Sequence, residues 1–212
     1  MVALRPHLDL LKALGATVLV FAETSGAVHG DRSTPLASRP VLDEAGWQRL
    51  GPAMTAVAEL TLAEGVRLVY HHHLGTVVET EAEIDHLMRQ TGEAVHLLLD
   101  TGHAAAAGAD PVALARRWRS RISHFHAKDV RPEILARVRG ERLSFLDGVI
   151  AGMFTVPGDG CVDYPAVLRE LAGYAGWAVV EAEQDPGTAN PLAYARLGFA
   201  NLDRYLTGAG LR

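Results

Sequence analysis

VHLLLDTGH, residues 95–103, is the stretch on which the reading of the fold turns. An apolar run broken only by His96 ends on the carboxylate of Asp100, turns on Gly102 and then presents His103. The same layout recurs along the chain. TVLVF (17–21) leads to Glu23, and VRLVYHHH (66–73) finishes on His71, His72 and His73. ISHFHAK (122–128) carries His124, His126 and Lys128, and WAVVE (177–181) ends on Glu181 with Glu183 two residues on. A single such ending is unremarkable. Five strand-like runs that all finish on oxygen or nitrogen ligands imply parallel strands presenting one common end to one point.

The segments between these runs read as helices. Leu8 to Leu14 is stopped by Gly15, Asp43 caps a long amphipathic stretch ending near Glu64-Gly65, and Thr80-x-x-Glu83 has the capping-box spacing for a helix to Gln90. Asp110-Pro111 opens another, since proline suits the first helical turn. The stretch 132–153 reads as two helical pieces, Tyr164 to Leu171 as one helix and Pro191 to Leu206 as the last. Alternating strands and helices predict an α/β fold with a parallel sheet, and near-continuous apolar strands fit a sheet covered on both faces. Active sites gather at the C-terminal ends of the strands in an α/β barrel. Such a barrel closes with eight strands, so five βα units predict an incomplete one, shortened at its N-terminus, with residues 1–212 as a single domain.

Bulk properties exclude several classes. The 212 residues are 49% hydrophobic, enough for a sizeable core, and no run approaches the roughly 20 apolar residues of a membrane span. A formal net charge of −5 with dispersed charges argues against a nucleic-acid footprint. Arg116, Arg117, Arg119 and Arg121 form the basic cluster, read as a solvated helix end beside Trp118. The lone Cys161 rules out an intrachain disulfide and fits a reducing compartment, so the expected location is the cytoplasm. A homo-oligomer is left open.

Side chains alternate faces along a strand, so His71 and His73 share one face and His72 takes the other. Residues 124, 126 and 128 likewise share a face, placing two imidazoles and an ammonium on an inner wall, costly to bury unless paired or used. Glu181 and Glu183 would repel one another unless a cation lies between or beside them. Asp100 is read as a metal-binding carboxylate with His103 contacting substrate, against the alternative of a simple turn cap. The loop Pro157-Gly-Asp-Gly-Cys161 fits either a tight turn or an approach to a ligand. A mixed Asp/Glu/His set without thiolates points to a catalytic rather than structural metal, with Mn²⁺, Co²⁺ or Zn²⁺ compatible. Such an ion polarises a carbonyl and steadies the enediolate formed when an α-proton leaves.

At LVYHHHLGTVVETEAEID, HLLLDTGHA, HFHAKDVR, GMFTVPGDGCVDYP and VVEAEQDP the chain resembles the xylose-isomerase-like barrel superfamily and, within it, the inosose (2-keto-myo-inositol) dehydratases of inositol catabolism. The resemblance runs from about Phe21 to the C-terminus and implies a TIM barrel lacking about three N-terminal strands. In the superfamily's sugar epimerases Glu, Asp, His and Glu hold the metal. By similarity Asp100, His126 and Glu181 fill the last three positions, and His71 stands where the wider superfamily has glutamate, which leaves His71, His73 or a water as the fourth ligand. His103 falls at a substrate-contacting position, Arg131 is displaced by one residue from another, and Glu183 is expected to bind substrate. The resemblance implies dehydration of a small cyclic polyol ketone, with Glu181 as base and His103, Lys128 or His73 as acid. Mn²⁺ or Co²⁺ is the implied metal; glutathione is implied by resemblance only, with no residue that argues for it. The rival readings are a ketose isomerase or 3-epimerase, a DNA-repair nuclease, which the acidic balance opposes, and a non-catalytic remnant.

Overall fold

The structure is a computed structural model, and it describes residues 4–212. Local chemistry sets the helix starts. The Asp43 carboxylate accepts from the Gly46 amide, and Thr80 and Glu83 complete a reciprocal capping box. Asp110, Asp163 and Asn190 each cap a helix whose first turn contains proline.

In chain order, α1 (Arg5–Ala13) precedes β1 (Val18–Phe21), then α2 (Glu44–Ala63), β2 (Arg67–His71) and α3 (Glu81–Gln90). There follow β3 (His96–Asp100), the short α4 (Thr101–Ala106), α5 (Pro111–Trp118) and β4 (Ile122–Ala127). Next come β5 (Asp129–Val130), α6 (Pro132–Gly140), α7 (Phe145–Ile150) and β6 (Phe154–Thr155), and the chain finishes with α8 (Tyr164–Glu170), β7 (Trp177–Val180) and α9 (Pro191–Gly208). The five long strands form one parallel sheet in the order β1-β2-β3-β4-β7, and β5 pairs antiparallel with β6 as a separate ribbon. Among the described residues β1 and β7 each have a single neighbour in the sheet.

The strands' period of two separates core from site. Leu68, Tyr70, Leu97, Leu99, Phe125 and Ala127 pack in one apolar cluster with Met54, Ala58, Leu87, Leu114 and Val167 of the helices. Each large side chain buried this way is worth about 1.5–3 kcal/mol. The alternate positions, Val69-His71, Leu98-Asp100 and His124-His126-Lys128, lie on the opposite face. Register then aligns them: Asp100 pairs with His126, His71 pairs with Leu98 two residues before Asp100, and the Glu181 amide donates to the Ala127 carbonyl at 3.2 Å.

All five expected strands are present, each slightly shorter than its apolar run. Two elements escaped the sequence reading. The chain does not merely turn at Gly102 but winds into α4, with the Asp100 carboxylate accepting from the His103 amide at 2.8 Å as its cap. The β5–β6 ribbon has two residues per strand, too few for any periodicity to register. The arginine cluster also differs from expectation. Arg116 pairs with Glu170, Arg117 with Glu81 and Asp85, and Arg121 turns inward to the carbonyls of Met88, Gly92 and Val95. No described helix is long and apolar enough to cross a membrane.

Candidate metal centre

Four side chains from four adjacent strand ends converge at the C-terminal edge of the sheet. His71, Asp100, His126 and Glu181 each offer a ligand atom, and these atoms all lie within 4.8 Å of one another. His126 Nδ1 lies 2.7 Å from Glu181 Oε2 and 3.4 Å from Asp100 Oδ2. Despite that closeness the angles do not make hydrogen bonds: His71 Nδ1, Asp100 Oδ2, His126 Nδ1 and Glu181 Oε2 are all buried without a partner. Buried polar atoms in native proteins are nearly always satisfied. Orphaned atoms on four residues whose ligand atoms converge are what a divalent ion would satisfy, and two imidazole nitrogens with two carboxylate oxygens form a suitable donor set. The residues present fit a metal.

The electrostatics agree with that donor set. Burial, with His72, His126, His73 and Lys128 nearby, holds the His71 imidazole well below its usual range, which leaves it neutral with a lone pair to offer. Burial pushes the Asp100 carboxyl up, but Lys128 and His126 outweigh it and hold the group far below the usual carboxylate range. Burial likewise opposes the charged form of Glu181, and His126 and Lys128 overcome it, so this carboxylate is also ionised. Burial pulls His126 down, yet Asp100 and Glu181 raise it to about 9. A metal held here would compete with a proton on His126.

A second cluster adjoins the first. His73, His103 and Glu183 bring three further ligand atoms within 4.8 Å of one another. Lys128, fully buried, reaches between the two groups: Nζ lies 2.5 Å from Glu183 Oε2, 2.8 Å from His103 Nε2, 3.3 Å from Glu181 Oε2 and 3.7 Å from Asp100 Oδ2. The cation expected between Glu181 and Glu183 is thus an ammonium of the chain itself. Two backbone features put it there. Glu183 has φ +44, a left-handed conformation that costs a non-glycine residue on the order of 1 kcal/mol, and it turns this carboxylate toward Lys128. A Cβ on Gly102 would stand 2.7 Å from Lys128 Cβ and Cδ, so only glycine lets the lysine stem lie across α4.

The other sequence candidates fall into supporting positions. His72, on the opposite face as expected, accepts from the Asp100 amide at 3.3 Å and so braces a ligand. His124 sits one layer below His126, with ring centroids 5.3 Å apart. Glu23 accepts from the Ser25 amide in its own turn. The Arg131 guanidinium is engaged by the Gly152 carbonyl, Thr155, Asp159 and Tyr194, an arrangement that anchors the loop rather than facing the quartet. Asp129, just past the end of β4, is buried and accepts from the amides of Val130, Gly158 and Val162, each at 2.9 Å. A Cβ on Gly160 would lie 2.6 Å from Asp129 Cγ, which explains the glycine in Pro157-Gly-Asp-Gly-Cys161. A cavity of about 780 Å³ between β7 and α9 has Glu183 on its wall, but Val156, Val180, Phe199 and Leu206 make it apolar.

Comparison with known proteins matches this geometry. The chain is 51% identical over 212 residues to the rhizopine catabolism protein MocC of Rhizobium meliloti, covering 99% of this chain and 65% of that protein. It is 45% identical over 196 residues to an inosose dehydratase of Clostridium botulinum (strain Eklund 17B / Type B), covering 91% of this chain and 66% of the relative. The chain thus spans just under two thirds of the length of these curated relatives. Among solved structures, the IOLI protein with a bound zinc atom superposes with a TM-score of 0.67 at 16% identity, over 98% of this chain and 68% of that one, a likeness of fold. The family described as xylose isomerase-like TIM barrel matches residues 2–205. With a parallel sheet whose strand ends gather the polar side chains, and a family match over nearly its whole length, the chain belongs to the xylose isomerase-like TIM barrels.

Proposed function

We propose that the chain is a metal-dependent hydro-lyase of inositol catabolism that dehydrates 2-keto-myo-inositol. The observation that carries this reading is the convergence of His71, Asp100, His126 and Glu181, each with a buried atom lacking a hydrogen-bond partner, beside a buried Lys128. The 45% identity to an inosose dehydratase supports the substrate, and the 51% identity to a rhizopine catabolism protein supports a catabolic role. The quartet would hold Mn²⁺ or Co²⁺, whose Lewis acidity would act on the substrate ketone.

The chain's own residues supply the proton transfers. The ionised Glu181 carboxylate takes the proton α to the carbonyl. The electron pair of that C–H bond moves into a carbon–carbon double bond as the β carbon–oxygen bond breaks. The departing hydroxyl takes a proton from the second cluster, where Lys128, His103 and His73 stand together, and leaves as water. Ketonisation of the resulting enol gives a trihydroxycyclohexane-dione. Glu183, hydrogen-bonded to Lys128, faces the same mouth and offers a carboxylate to substrate hydroxyls. Arg131 acts at one remove, through the loop it anchors. No described residue is assigned to glutathione. The lone cysteine supports a cytoplasmic location.

The test is incubation of the chain with 2-keto-myo-inositol and Mn²⁺. A product absorbing in the ultraviolet, formed with loss of water, is expected. An isomeric ketose without loss of water would instead assign an isomerase or 3-epimerase. Absence of any turnover by a folded, metal-loaded chain would overturn the enzymatic reading of these 212 residues.

A further inference from the structure

We propose that Lys128 occupies a second cation position, formed by His73, His103 and Glu183, and thereby restricts the centre to one divalent ion. The inference rests on the reading of His71, Asp100, His126 and Glu181 as the first metal site. Three observations lead to it. The second cluster has the donors of a metal site in its own right: two imidazoles and a carboxylate with ligand atoms within 4.8 Å of one another. Lys128 Nζ already lies within bonding reach of two of these three, His103 Nε2 at 2.8 Å and Glu183 Oε2 at 2.5 Å. It also lies within 4 Å of Asp100 and Glu181, two members of the first cluster.

Charge explains why an ammonium belongs there. Asp100, Glu181 and Glu183 bring three negative charges into a largely buried space, and one divalent ion with one ammonium neutralises them. A second divalent ion alongside Lys128 would leave the pocket with two excess positive charges, an arrangement that burial penalises heavily. Nor can the lysine readily swing away. Its stem crosses the bare backbone of Gly102, and its head lies 4.9 Å from the centre of the Phe154 ring in a cation–π contact. Replacing the lysine by an uncharged side chain would uncover His73, His103 and Glu183 and restore a net charge that a second ion can satisfy.

The experiment counts tightly held Mn²⁺ and Zn²⁺ per chain by elemental analysis after gel filtration, with electron paramagnetic resonance on the Mn²⁺ samples. Wild type is expected to retain one ion and show the spectrum of isolated Mn²⁺. Lys128→Met is expected to retain two and show a spin-coupled pair, and adding His73→Ala returns the count to one. Glu183→Gln in the wild-type background is expected to keep the single ion. Two ions in wild type, one ion in a folded Lys128→Met chain, or loss of the single ion in Glu183→Gln would each overturn the proposal. Should Lys128→Met not fold, the wild-type and Glu183→Gln counts decide it. No retained ion in folded wild type would instead bring down the first-site reading itself.

Discussion

At the N-terminal ends of the strands, Arg121 spreads its guanidinium over the carbonyls of Met88, Gly92 and Val95 and the Thr91 hydroxyl, at 2.5–3.0 Å. Beside it, His96 Nδ1 meets the Ser123 hydroxyl at 2.6 Å and Nε2 meets Arg67 at 2.5 Å. At the C-terminal ends of the same strands, four buried side-chain atoms have no hydrogen-bond partner. The two ends are made from the same residue types, histidines and charged side chains on one sheet. They differ in whether the polar groups complete one another. A satisfied network stabilises the fold, whereas an unsatisfied one is a cost that persists only where something else is to be bound.

That contrast can be broken by substitution. Asp100→Asn carries the largest expected effect, a loss of more than about 100-fold in Mn²⁺ affinity by titration calorimetry, beyond the 10–100-fold that outer partners of a metal site are worth. A loss below tenfold would erase the distinction between the two ends. Arg121→Ala should act on the other quantity. It strips partners from several carbonyls and lowers unfolding free energy in urea by about 2–3 kcal/mol, leaving Mn²⁺ affinity within twofold. His72→Leu tests an intermediate position, since His72 touches the metal site only through the Asp100 amide. About tenfold weaker Mn²⁺ binding is expected, with kinetics of unfolding little changed.

The smallest expected effect is pH-dependent. Burial, reinforced by Arg67 and Arg121, lowers His96 to about 4. The folded state therefore refuses a proton that the unfolded chain accepts near pH 6.5, so this contribution is full above pH 6.5 and declines as pH falls toward 4. His96→Gln should remove about 1 kcal/mol of that decline, a figure reduced for the half-exposed ring, in urea melts compared at pH 7 and pH 5. An unchanged difference between the two pH values would mean that the floor of the sheet is not held by a neutral imidazole.

Much of the site was legible because strands have a period of two. That periodicity put His71 and His73 on one face, His126 with Lys128 on another, and Asp100 at a strand terminus, and parallel pairing does the rest. Helix starts were legible from caps such as Asp43 and the Thr80–Glu83 box. The division of the ligands into two clusters was not. Glu181 and Glu183 share a face on paper, but the left-handed backbone at Glu183 sends its carboxylate to the second cluster. The bridging position of Lys128 depends on neighbours 25 and 55 residues distant, which no local pattern encodes. Arg121 read as solvated because its position in a basic run conceals that it points inward.

Gly102 sets a tolerance for the whole mouth. Because an added methyl group would clash with the lysine stem, it would displace the ammonium without replacing any residue of the two clusters. Sequence drift at this position is therefore indistinguishable, in its chemical outcome, from drift at Lys128, and a neutral-looking alanine there would act as an electrostatic lesion.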